Sequence, residues 1–198
     1  NSRVDMLPDL TGAEPTVISL TPPPDLEVYS VGTLANAQAG QRYTATWRVV
    51  NFGATPTPNS YWTDRVYLSS DTQLDDGDIY LGDRLHYGVL PVYEEDSDGN
   101  PIAGYYDTSL AITLPFDISG SYRLLVKTDI LNQVFEGFAN PDGPDGEDNN
   151  TWASGAMQVV SRPADLVVET IDAPAGGESG KQIGVSWTVR NSGSGDSI

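Results

Sequence analysis

The sequence predicts an all-β fold: an antiparallel β-sandwich, complete in one module and followed by the first strands of a second copy. Three observations carry the prediction. Apolar and polar residues alternate with period two over short runs, and no window of about twelve residues shows a helical stripe. Turn signals separate those runs: Asn51 with Gly53, Asp76 with Gly77, Asp98 with Gly99, and Ser119 with Gly120. Two stretches also match without a gap at one fixed offset. Asp25, Leu26 and Val28 recur as Asp165, Leu166 and Val168, while Gly40, Trp47, Val49, Asn51 and Gly53 recur as Gly180, Trp187, Val189, Asn191 and Gly193. That period is too long for a solenoid unit and right for a whole domain.

Residues 1–23 contain Pro8, Pro15, Pro22 and Pro23 with little periodicity, and read as a linker. The module spans 24–161. Tyr43, Ala45, Trp47 and Val49 share one face of a strand, and Thr44, Thr46 and Arg48 share the other. Trp62, Val66 and Leu68 suit the next strand, although Asp64 interrupts its apolar face. Leu110, Ile112 and Leu114 alternate again, then Tyr122, Leu124, Val126 and Thr128, and residues 151–160 close the module. About seven short strands result, the number expected of a sandwich. Tyr122, just after Gly120, stands where such folds carry a tyrosine corner. Residues 162–198 begin the second copy, with Ile183, Val185, Trp187 and Val189 set against Gly184, Ser186 and Thr188. Two strands bury too little apolar surface to offset chain entropy. Trp187 is therefore expected to stay partly exposed while Trp47 packs inward.

Composition narrows the function. The chain has 28 acidic and 10 basic residues, a formal net charge of −18. A field of that sign repels phosphate backbones and anionic lipid, attracts cations, and argues against nucleic acid as a partner. No apolar run approaches the ~20 residues that span a bilayer, so direct membrane insertion is not expected. The absence of cysteine excludes a disulfide scaffold, a thiolate metal site and a cysteine nucleophile, and leaves packing alone to hold the core. His86 is the only histidine, which argues against a zinc site or a Ser–His pair. Paired carboxylates for glycoside hydrolysis fit the composition, but the acidic residues fall on turns. The Asn149-Asn150-Thr151 triplet is a glycosylation pattern that arises often by chance.

Three acidic loops are candidates for Ca²⁺, a cation that takes six to eight hard oxygens from flexible loops. The first holds Asp71, Asp75, Asp76 and Asp78. The second holds Glu94, Glu95, Asp96 and Asp98, and the third holds Asp142, Asp145, Glu147 and Asp148. None matches an EF-hand: in the second loop, Tyr105 stands where the closing glutamate belongs. Turn chemistry and solubility account for the same residues without an ion. The expected ligands are Asp71, Asp75, Asp76, Asp78, Asp142, Asp145 and Asp148. Trp62, Trp152, Tyr61, Tyr67, Tyr105 and Tyr106 are candidates for a solvent-facing aromatic patch that stacks on sugar.

The string YWTDRVYLSSDTQLDDGDIYLGD at 61–83 resembles the CARDB family of bacterial cell-adhesion-related domains, together with PDLEV at 24–28, TATWRVVNFG at 44–53 and LPFDISGSYRLLVKTD at 114–129. Residues 163–195 are similar to the opening of such a domain, and EDNN at 147–150 fits its end. The acidic insert near 94–100 and the long loop 139–148 depart from the pattern. The resemblance implies an immunoglobulin-like sandwich without catalytic residues. It implies a secreted or cell-surface setting, with neighbouring modules of the same chain as partners and a surface glycan or protein as ligand. The expected role is adhesion and spacing, with Ca²⁺ stiffening the array. The alternative is a carbohydrate-binding accessory module of an exported hydrolase.

Overall fold

Alternating Val, Leu, Ile and aromatic residues produce strands here because branched and ring side chains pack well on a pleated, half-buried surface. The structure, a computed structural model, describes residues 22–32, 34–137 and 147–195. Its strands in chain order are β1 (Leu26–Val31), β2 (Asn36–Gln38), β3 (Arg42–Asn51), β4 (Tyr61–Ser69), β5 (Ile79–Tyr87), β6 (Glu94–Glu95), β7 (Pro101–Ala103), β8 (Tyr105–Thr113), β9 (Gly120–Lys127), β10 (Thr151–Ala153), β11 (Met157–Val160), β12 (Leu166–Asp172) and β13 (Ser186–Asn191). One sheet has the order β1-β3-β8. The other runs β2-β11-β9-β4-β5, with β10 also paired to β9. Strand β6 pairs with β7, and β12 with β13.

The inward faces of the two large sheets meet in one core. Leu26, Val28, Ala45, Trp47, Val49 and Ile112 come from the first sheet, and Trp62, Val66, Leu68, Leu124, Val126, Met157 and Val159 from the second. Each fully buried Val, Leu or Met contributes roughly 1.5–3 kcal/mol through removal of apolar area from water. Among the described residues, none of 163–195 belongs to that core. Trp47 is 3% exposed and Trp187 is 64% exposed, as the alternation predicts for a packed strand and an uncovered hairpin.

The hairpin β12–β13 reproduces the geometry of β1–β3. Leu26 faces Asn51 as Leu166 faces Asn191, and Val31 faces Trp47 as Ile171 faces Trp187. Both ladders slip at the same place, between Val28 and Ser30 and between Val168 and Thr170. The recurring asparagine is a latch as well as a turn signal. Asn51 Oδ1 accepts from the Asp25 and Gly53 amides, and its Nδ2 donates to the carbonyls of Thr55, Leu90 and Pro91. Asn191 Oδ1 accepts from Asp165 and Gly193 in the same way. Gly53 follows from this close approach: a Cβ there would lie 2.5 Å from Pro24 and Asp25 backbone atoms.

Several features differ from the sequence expectation. The pairing is antiparallel except that β2 runs parallel to β11, because the chain leaves the first sheet after β1 and joins the second. Strands β2, β6, β7 and β10 are two or three residues long, too short for a period to register. Glu94 and Glu95 lie in strand β6 rather than in a loop. The tyrosine tied to upstream backbone is Tyr43, whose hydroxyl accepts from the Gln38 amide at 2.7 Å. Tyr122 instead packs half-buried against the core.

Candidate functional site

The strongest chemical feature inside the sandwich is the carboxylate that interrupts the apolar face of β4. Asp64 is fully buried. Its Oδ2 accepts from Trp47 Nε1 at 2.8 Å and from the Tyr106 hydroxyl at 2.8 Å, and its Oδ1 accepts from Thr128 Oγ1 at 2.7 Å. Trp47 and Tyr106 belong to the first sheet and Asp64 to the second, so these bonds cross the sandwich. Packing is therefore not the sole tie across the core, contrary to the expectation drawn from the missing cysteines. Burial pushes the Asp64 carboxyl up to about 6, against the downward pull of the Thr128, Trp47 and Tyr106 donors. Tyr106 titrates well above its ordinary range, chiefly through burial and then through the adjacent Asp64 charge.

The same cluster corrects the aromatic patch. Trp62 is fully buried, and its Nε1 donates to the Tyr106 hydroxyl at 3.0 Å. His86 stacks on Trp62 and lies tilted against Tyr106, at ring separations of 4.0 Å each, and its Nε2 meets the Gly88 carbonyl at 3.0 Å. Burial lowers the His86 pKa. Tyr61 and Trp152 stay on the surface. A separate surface group joins Tyr29, Phe52 and Tyr93, with ring centroids 6.2 and 5.1 Å apart.

The first acidic loop forms the β4–β5 hairpin connection. Asp71, Asp75 and Asp76 are exposed and Asp78 is half-buried. Asp71 Oδ1 accepts from the Gln73 amide, Asp75 Oδ1 from the Gly77 amide, and Asp78 Oδ2 from the Asp75 amide. These are side-chain-to-backbone bonds that fold a tight turn. In the second loop, Asp96 accepts from the Asp98 and Asn100 amides and from Asn100 Nδ2, which lowers its pKa. Asp142 and Asp145 lie outside the described residues; Asp148 is exposed, beside Glu147 in the third loop. Among the described residues, no three Asp, Glu or His side chains are grouped as a metal-ligand set.

Two further buried carboxylates, Asp129 and Glu136, carry no sign in the sequence. After β9 the chain turns at Asp129, which holds a left-handed φ of 44°. Its carboxylate caps the Gln133 and Val134 amides, and that turn carries Glu136 beneath the start of β1. Glu136 is 3% exposed, and its Oε2 accepts from the Leu26 amide at 2.8 Å. Asn150, fully buried, places its Nδ2 between two carboxylates, 3.4 Å from Glu136 Oε1 and 3.2 Å from Glu147 Oε2. Asn149 Nδ2 donates to Asp25 Oδ1 at 3.0 Å. Burial pushes Glu136 up to about 9, and the Glu147 and Asp25 charges add to the rise. No periodicity marks Asp129 and Glu136, because they lie in connections; nearby, the sequence marks only Glu147 in the third acidic loop, the Asn149-Asn150-Thr151 triplet, and EDNN as a module end.

Fold and interior together define an all-β two-sheet sandwich module tied by a buried carboxylate. The chain is similar to the CARDB domain of the PF1109 protein from Pyrococcus furiosus, described as a complex with di-metal ions: identity is 19%, coverage is 75% of this chain and 99% of that one, and the TM-score is 0.45. A solution structure of the same domain gives 19% identity, 71% and 98% coverage, and a TM-score of 0.45. AvmM, described as catalysing macrocyclization in alchivemycin A biosynthesis, shares 9% identity at a TM-score of 0.36, over 73% of this chain and 93% of that one. No family model and no curated protein matches the sequence. No helix among the described residues is long and apolar enough to cross a membrane.

Proposed function

We propose that the chain is a non-enzymatic sandwich module of a large secreted or surface-displayed bacterial protein, serving as spacer and adhesion element. The observation that supports this reading is the recurrence of the β1–β3 ladder, bulge and asparagine latch included, in β12–β13. A unit that repeats its own first hairpin after a short connection is the pattern of a modular array. In such an array, each sandwich extends the chain and carries load through interior ties such as Trp47–Asp64–Tyr106. Neighbouring modules are its first partners, and a surface glycan or protein its distal ligand. Ca²⁺ recruited by the acidic surface is part of the proposal, because a net charge of −18 raises the local cation concentration.

Single-molecule stretching of tandem copies of residues 24–161 tests the spacer role. The expected record is a series of equal unfolding steps, one per copy. Merged or absent steps would overturn it. The accessory-module reading keeps one specific support, the exposed rings of Tyr29 and Phe52 beside Tyr93. Glycan-array binding lost on Phe52→Ala would favour it over the spacer reading.

A further inference from the structure

The chain enters and leaves the module beside one pair of strands. Tension on the first end reaches β2 through β1, and tension on the other end reaches β11, the last strand before the connection to β12. Strands β2 and β11 are neighbours, with Asn36 facing Gln158, Ala37 facing Val159 and Gln38 facing Val160. Among the described residues they are the only strands paired in parallel. Direction decides what tension does to such a pair. Strand β2 is pulled from its N-terminal end at Asn36, and β11 from its C-terminal end at Val160. In parallel strands those ends lie at opposite poles of the ladder, so the pull slides one strand along the other and strains all its evenly spaced bonds together. Pulling the two strands from matching ends would open the bonds one after another.

The far end of β2 is pinned. The Ala39 amide donates to the Val160 carbonyl at 3.0 Å, the Gln38 amide to the Tyr43 hydroxyl at 2.7 Å, and the Gly40 amide to the Leu114 carbonyl at 3.1 Å. Gly40 holds a left-handed φ of 77°, and a Cβ there would lie 2.3 Å from the Phe116 ring, so this corner is closely packed. Ala37 and Ala39 of the one segment and Met157 and Val159 of the other belong to the core. Topology also makes the pair unavoidable. Unravelling from the first end frees β1 and must then strip β2 from β11. Unravelling from the other end must strip β11 from β2 and from β9. Both routes break the same ladder. We infer that the β2–β11 pair is a shear lock, the element that sets the force at which the module unravels. Its purpose rests on the reading of the module as a spacer under load. The Asp64 ties join the two sheets across the core, whereas this pair joins the two ends of the module's chain.

The test uses the full 198-residue chain, which has no cysteine to compete with engineered attachment points. Handles at Ala35→Cys and Arg162→Cys pull β2 and β11 in the sliding direction. Handles at Ala35→Cys and Ala156→Cys pull the same strands from matching ends, and all three positions are exposed. Single-molecule force spectroscopy at one loading rate is expected to show a rupture force at least twofold higher in the sliding geometry. Ala39→Pro removes the amide that donates to Val160. It is expected to lower the sliding force and to leave the peeling force unchanged, because peeling reaches that bond last. Equal forces in the two geometries would overturn the lock. A sliding force unmoved by Ala39→Pro, in a chain that still melts cooperatively, would overturn it as well. Should Ala39→Pro fail to fold, the comparison of pulling directions decides by itself, since it leaves β2 and β11 unaltered. Merged steps in tandem copies would remove the spacer role without changing the ratio between directions, so the two readings fail separately.

Discussion

Trp47 and Trp187 occupy equivalent positions in two copies of one hairpin, so the same substitution at each separates local register from interior ties. Trp47→Phe removes the Nε1–H that donates to Asp64 at 2.8 Å in a fully buried setting. A hydrogen bond to a charged group is worth about 1.5–3 kcal/mol, and the missing ring atoms leave a small cavity worth about 1 kcal/mol more. The expected loss is about 2–4 kcal/mol. For a module of roughly 140 residues, this lowers the melting temperature by about 7–13 °C. Trp187→Phe changes a side chain that is 64% exposed, and surface changes of this kind stay within about 0.5 kcal/mol. Urea unfolding and thermal melts followed by far-ultraviolet circular dichroism avoid dependence on the altered indole. A Trp47→Phe loss below about 0.5 kcal/mol would refute the clamp. A comparable loss at Trp187 would show that β12–β13 is covered in solution.

Asp64 has a folded pKa of about 6 against an ordinary 3.8, so the folded protein holds this proton more tightly than the unfolded chain. Its contribution is complete below about pH 3.8 and is lost as pH rises through about 6, a swing of about 3 kcal/mol. The stability difference between the natural chain and Asp64→Asn, measured in urea at several pH values, is expected to shrink over that window; a constant difference would disprove it. Asn51→Ala leaves the Asp25 and Gly53 amides without their acceptor and is expected to cost about 2–4 kcal/mol. Asn191→Ala, on an exposed hairpin, is expected to cost less than about 0.5 kcal/mol in the same melts. Gly53→Ala must displace the backbone at Pro24 and Asp25, so its melting temperature is expected to fall with that of Asn51→Ala.

What the sequence revealed and what it hid follow from the range of each interaction. Period-two alternation located β3, β4 and β9 because a buried face constrains every second residue along a strand of eight or more. The offset repeat marked Asn51 and Gly53 as special, but only as turn residues. Their role as a latch needs the carbonyls of Leu90 and Pro91, which no local window contains. The acidic loops were conspicuous because their charges are consecutive, yet Asp71, Asp75 and Asp78 act largely on neighbouring backbone. The buried carboxylates were inconspicuous for the opposite reason: Asp64 and Glu136 are single residues whose partners lie far along the chain. Asp64 carried one legible sign, a charge at an inward position of an otherwise apolar strand. Such a residue is too costly to bury unless donors from other elements converge on it. Trp47 offered the matching sign from the facing sheet, as an inward indole with an N–H to satisfy. Together, those two anomalies point to the clamp from the sequence alone.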